Sequence, residues 1–134
     1  MLSWSGVKVL VDTSDRTEFL VPLSWRTRNS WGTLFFAAIA SGVDVCGAWS
    51  ALRIAEENRV GVLYKEMNIK FLRRVDEDLR LVCTDVSIIQ ACALQAAQSG
   101  ERVNVSIKVQ GYCDSYSSQQ PVVSADLQLS MKKR

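Results

Sequence analysis

Histidine is missing from all 134 residues. Ser–His and Cys–His nucleophile pairs are therefore excluded, and so is histidine general-base chemistry. Any acid–base work falls to carboxylates, water, backbone N–H groups, a lysine or a tyrosine. Metal-ligand spacing is missing too. Cys46, Cys83, Cys92 and Cys113 are far apart and form no C-x-x-C pair, so no metal is expected, and free buried thiols are the ordinary state of such residues in a reducing compartment. Excess charge is scarce. The net charge is +2, and the sole basic cluster is the terminal Lys132-Lys133-Arg134. A nucleic-acid surface would need a clustered basic stripe, so no nucleic-acid partner is expected and the tail reads as solvated. The chain does not open on a charged n-region followed by an apolar h-region and a cleavage site, and the expected location is cytoplasmic. With no repeat and no linker, residues 1–134 read as one domain. A hydrophobic fraction of 48% and a charged fraction of 22% suit a globular protein with a real core.

Against these absences stands a long apolar run from Leu34 to Leu52, which carries a single charge, Asp44. Asn29 or Ser30 can cap a helix start, and Arg53, Glu56, Glu57 and Arg59 restore polar character. The spacing predicts a helix over 31–58, apolar nearly all round. Such a helix is either a membrane span or the buried centre of a layer. An ionised Asp at mid-membrane costs about 3 kcal/mol. The remaining chain reads as amphipathic strands in need of a cover. A central helix wrapped by a sheet is therefore expected, with no membrane partner, and Gly42 and Gly47 would let the sheet approach the helix backbone.

The strands follow from period-two alternation. Val7, Val9 and Val11 form one, and Thr17 to Leu23 a second that ends or lies at an edge near Pro22. A long strand is expected over Val60 to Val75, with Met67, Ile69 and Phe71 on one face and Glu66, Asn68 and Lys70 on the other. Leu79, Leu81 and Cys83 mark the next strand, after a turn at Asp76-Glu77-Asp78. Around Asp85 to Ser99 the alanines and apolar spacing favour a helix, with Thr84, Asp85 or Ser87 as its cap and Gly100 just past its end. Strands from Val103 to Tyr112 and from Val123 to Met131 complete the order ββ, helix, ββ, helix, ββ. This is an α+β pattern: an antiparallel sheet with helices on one side.

Asp44 needs a reason. A carboxylate in a buried helix must be paired, hydrogen-bonded or protonated. It is either a structural acid bonded to an arginine or a backbone group, or an acid kept in a dry cleft for chemistry. Asn29 reads by itself as a cap, and Phe35 and Phe36 as core.

The pattern Asn29-x-x-Gly32 followed by Asp44 on a buried helix resembles the hotdog-fold acyl-CoA thioesterases, in the tetrameric acyl-CoA thioesterase-like branch. The later run from Lys65 to Arg74, followed by Asp78-Leu79, is similar to that family's first strand after the helix. The resemblance implies a hotdog fold, with the sheet curled around the central helix. It implies a homodimer or homotetramer in which two sheets pair and an acyl-CoA substrate lies between subunits. Coenzyme A enters only as part of that substrate, and no other cofactor is implied. Carried over by position, Asp44 is the catalytic carboxylate, as general base or nucleophile, and Asn29 orients water or the carbonyl. Gly32 and the backbone N–H groups around Phe35 and Phe36 fall at the substrate, where preorganised N–H donors stabilise developing charge. Arg73 and Arg74 fall where coenzyme A phosphates are met. Relatives often carry His-Gly-Gly where this chain has Phe35-Phe36-Ala37. That departure keeps open a second function, a catalytically silent acyl-CoA- or lipid-binding protein. A dehydratase of the same fold is disfavoured, because it would rely on a histidine paired with an acid.

Overall fold

The computed structural model describes residues 6–134. Its strands are β1 (Lys8–Asp12), β2 (Thr17–Val21), β3 (Val60–Phe71), β4 (Leu79–Cys83), β5 (Val103–Tyr112) and β6 (Val123–Lys133), and its helices are α1 (Phe36–Glu57) and α2 (Val86–Ser99). The strands form one antiparallel sheet in the order β1-β2-β4-β5-β6-β3. The sheet wraps around α1, giving the α+β architecture that the sequence pattern predicts and the hotdog fold that the resemblance implies.

Alternation explains the wrap. On β2, β4, β5 and β6 the residues Phe19, Val21, Leu79, Leu81, Ile107, Val109, Leu127 and Leu129 are all buried against the helices. The two helix glycines do what was expected of them. A Cβ at Gly42 would collide with Val21 and Leu81, and one at Gly47 with Leu127. The sheet therefore sits directly on the helix backbone at both points. Thr17 ties the same contact, its hydroxyl donating to the carbonyl of Cys46 at 3.0 Å. All four cysteines are buried, free thiols. Among the described residues no helix is long and apolar enough to cross a membrane.

Three expectations are corrected. α1 starts at Phe36 rather than Trp31, with Phe35 at its N-cap, and no side chain caps it. The Asn29 side chain is turned into a tight turn of its own, described below, so it never reaches the helix end. Second, α1 is not buried all round. Ala38, Val43, Cys46, Ser50 and Ile54 are buried, but Phe36, Trp49 and Leu52 reach the surface, because the sheet encloses only part of the helix. Third, β3 stops at Phe71 and is not half-buried. As the last strand of the sheet it has one neighbour among the described residues, β6, and from Leu63 to Phe71 every residue except Ile69 is exposed. α2 ends as predicted, with Gly100 left-handed at φ 70° and its N–H donating to the carbonyl of Ala96. Its Asp85 makes no cap; the carboxylate accepts from the backbone N–H of Lys108 at 2.8 Å instead.

Candidate active site

Asp44 sits midway along α1, but its side chain is exposed. The expectation of a carboxylate buried with its helix is thus corrected. The helix turns Val43 and Cys46 toward the sheet, and the intervening carboxylate leaves on the flank where β3 runs past. Among the described residues Asp44 has no ion-pair partner. It opens into a cleft of about 250 Å³ lined by Tyr64, Lys65, Glu66, Met67 and Leu127. Partial loss of water there pushes its carboxyl above the ordinary aspartate value.

Tyr64 reaches this cleft because of a break in the strand. β3 pairs with β6 in register on either side of Lys65, which has no partner: Tyr64 faces Leu129 and Glu66 faces Gln128. This is a β-bulge, one extra residue on one strand. Simple alternation would put Tyr64 on the face of Glu66 and Asn68. The bulge instead puts it on the face of Met67, Ile69 and Phe71, whose cross-strand partners Leu127, Ala125 and Val123 are buried. Partial loss of water, and then the negative charge of Asp44, push the Tyr64 hydroxyl up to about 12. Both residues therefore belong to one polar site at the edge of the sheet.

The turn before α1 is organised by Asn29. Its Oδ1 accepts from the backbone N–H groups of Trp31 (2.9 Å) and Thr33 (3.1 Å), and its Nδ2 donates to the Thr33 hydroxyl at 2.7 Å. Gly32 permits the turn, because its φ of +78° is in the left-handed region that L side chains avoid. The Phe35 N–H donates to the carbonyl of Thr27 at 2.9 Å, so it does not serve as a free donor. Phe36 and Ala37 follow as the first helical residues, whose N–H groups have no acceptor within a helix.

Phe36 lies beside a second cleft, of about 400 Å³, whose walls include Leu34, Ile39, Phe71, Leu72, Arg73 and Arg74. The Phe36 and Phe71 rings are 5.6 Å apart. Arg73 stacks over Tyr116 at 3.8 Å, and an Nη of Arg74 donates to the carbonyl of Trp31 at 3.1 Å. The structure therefore brings Phe36, Arg73 and Arg74 together at one mouth. Asp44 lies two helical turns further on, about 12 Å along the axis. Asn29, Gly32 and Phe35 line neither cleft.

Sequence reasoning missed two residues. Tyr64 was hidden by the bulge. Glu18 was hidden by its position between two core residues in Thr17-Glu18-Phe19, where a charge reads as solvent-facing. It is buried all the same, ion-paired with Arg16 and, at 3.1 Å, with Arg80. Arg80 also bridges to Asp114 at 3.0 Å and lies over the Tyr112 ring. With two guanidinium partners Glu18 is a structural acid, tying β2 to β4, and has no free role as a base.

No family model matches the chain, and no curated protein matches it. Solved structures do. A protein of unknown function from Pseudomonas aeruginosa, called a "probable thioesterase", superposes with a TM-score of 0.84 at 18% identity, over 99% of this chain and 87% of that one. A protein of unknown function from Chlorobaculum tepidum gives 0.80 at 18% identity, over 99% and 86%. A thioesterase from Haemophilus influenzae gives 0.71 at 15% identity, over 98% and 82%. At these identities the likeness is one of fold.

Proposed function

We propose that this protein hydrolyses acyl-CoA thioesters, with Asp44 as the base. The observation that carries the reading is a carboxylate with no ion pair among the described residues, raised above its ordinary value, on the central helix of a hotdog fold and open to a cleft at the sheet edge. Several proteins of similar fold are named as thioesterases, which supports the same class. Asp44 takes a proton from water as the oxygen bonds to the thioester carbonyl carbon. The tetrahedral species then expels the thiolate, which recovers the proton from Asp44, leaving a carboxylic acid and a thiol. The N–H groups of Phe36 and Ala37 at the helix N-terminus suit a developing oxyanion, but at about 12 Å from Asp44 along α1 they would meet the carbonyl it serves only across a subunit interface. Arg73 and Arg74 retain donors for coenzyme A phosphates.

The working unit in this reading is at least a dimer. β3 leaves one side of its backbone unpaired, and Leu63, Tyr64, Met67, Phe71 and Leu72 are exposed along it. A long apolar edge strand invites another chain. A second copy there would extend the sheet and close both clefts from the open side.

Asp44→Asn tests the assignment. Turnover of a panel of acyl-CoAs, followed by thiol release, should fall at least a hundredfold while the circular dichroism spectrum stays native. Native-level turnover in this variant would overturn the role of Asp44. A silent acyl-CoA-binding protein is the second reading, favoured by the Phe36–Phe71 contact that narrows the second cleft. Calorimetric binding of acyl-CoA with no thiol released over hours would establish it instead.

A further inference from the structure

We infer that Tyr64 positions the attacking water in the Asp44 cleft; the inference rests on the hydrolase reading above. A water held for attack needs two polar partners that leave one lone pair free for the carbonyl carbon. Asn29, the residue that the resemblance assigns to this task, has its carboxamide oxygen and one amide hydrogen engaged by Trp31 and Thr33. It also lines neither cleft. The cleft that holds Asp44 offers three other polar side chains, Tyr64, Lys65 and Glu66. Glu66 pairs across the sheet with Gln128, on the face opposite to Leu127, and Gln128 donates to the Ser106 hydroxyl. Lys65 is the bulge residue itself and is exposed. Tyr64 alone stands on the helix-facing side with Asp44, and the bulge serves that placement.

The chemistry suits a neutral phenol. The water donates one hydrogen to the Asp44 carboxylate and the other to the Tyr64 oxygen, and its lone pair faces the thioester. As the C–O bond forms, the first proton passes to Asp44; when the C–S bond breaks, it passes on to the thiolate. Tyr64 loses no proton at any stage. Its hydroxyl stays protonated at neutral pH, since partial loss of water and the neighbouring carboxylate both disfavour the phenolate.

Tyr64→Phe keeps the ring and removes the hydroxyl. With acyl-CoA substrates, kcat should fall about tenfold to a hundredfold, the scale of one lost hydrogen bond in a transition state. KM should change less than twofold, and the melting temperature should stay native. Tyr64→Leu removes the ring as well and separates packing from positioning. If Tyr64→Phe turns over normally and only the Leu variant melts lower, Tyr64 is structural and the proposal is overturned. A loss confined to KM would overturn it too. Asp44→Asn, run alongside, separates the two failures. Loss of turnover there with normal turnover in Tyr64→Phe sinks the Tyr64 role alone. Normal turnover in Asp44→Asn sinks the role of Asp44 and the Tyr64 role with it, whereas a native protein that releases no thiol sinks the hydrolase reading itself.

Discussion

A single carboxylate in a helix can serve stability or reactivity, and at Asp44 the two oppose each other. Its carboxyl is raised by loss of water, and among the described residues no ion pair offsets it. The folded state therefore holds the Asp44 proton more tightly than the unfolded chain does. Linkage then gives the sign: stability falls as pH rises from the ordinary aspartate value of 3.8 through the raised folded value, and the cost persists above it. Asp44→Asn should thus melt higher than the native protein at neutral pH. The gain should vanish below pH 3.8, as thermal melts across pH would show. Turnover has the opposite dependence, because a general base must be ionised. The acid limb of the kcat profile should lie above the range of an ordinary aspartate. A group that destabilises the fold at the pH where it would work is the pattern of a reactive site rather than of a structural ion pair such as Glu18–Arg80.

At the scale of elements, the helix–sheet contact depends on two absent methyl groups. In an exposed helix, replacing glycine by alanine is worth about 1 kcal/mol of added stability. At Gly42 the new Cβ would lie 2.7 Å from Leu81 Cδ1 and closer still to Val21, and both neighbours are fully buried. Overpacking of this kind costs about 1–3 kcal/mol. Gly42→Ala should therefore lower the denaturation midpoint in urea, against its helix propensity. A raised midpoint would mean that the sheet can back away from α1. The turn before α1 shows a related conflict, between the local chemistry of Asn29 and the start of the helix. Asparagine is as good a turn former as it is a cap, and the backbone N–H groups nearest to its carboxamide belong to the turn. The β3 bulge is a third element-scale event, since one unpaired residue decides which side chains share a face.

For the whole molecule the open edge of β3 is the dominant feature. Leu63 is 59% and Met67 37% exposed on a strand with a free edge, and Phe71 at its end packs against the exposed Phe36 of α1. The chain should be a dimer or larger at micromolar concentration. Leu63→Lys, which puts a charge on that edge, should shift it toward monomer in sedimentation equilibrium, while a monomeric native protein would remove the edge-pairing model. If both clefts are completed by the second copy, turnover should fall in step with dissociation.

Much of this architecture was legible in the residues alone. Strand alternation marked β2, β4, β5 and β6, the long apolar run marked α1, and the glycine after Ser99 marked the end of α2. These are local signals, in which each residue reports its own preference for water or for a given backbone angle. The Asn29, Gly32 and Asp44 pattern pointed to the hotdog fold only by resemblance to a known family, not by a physical signal of its own. Tertiary structure alone decided that Asp44 faces a rim and not the core, that Tyr64 joins it, that Glu18 is buried and that Asn29 is held in its turn. Each depends on which distant segment lies alongside: β6 opposite the bulge, Arg80 beside Glu18, β3 past the flank of α1. Periodicity states which face a side chain occupies, and only packing determines what that face meets.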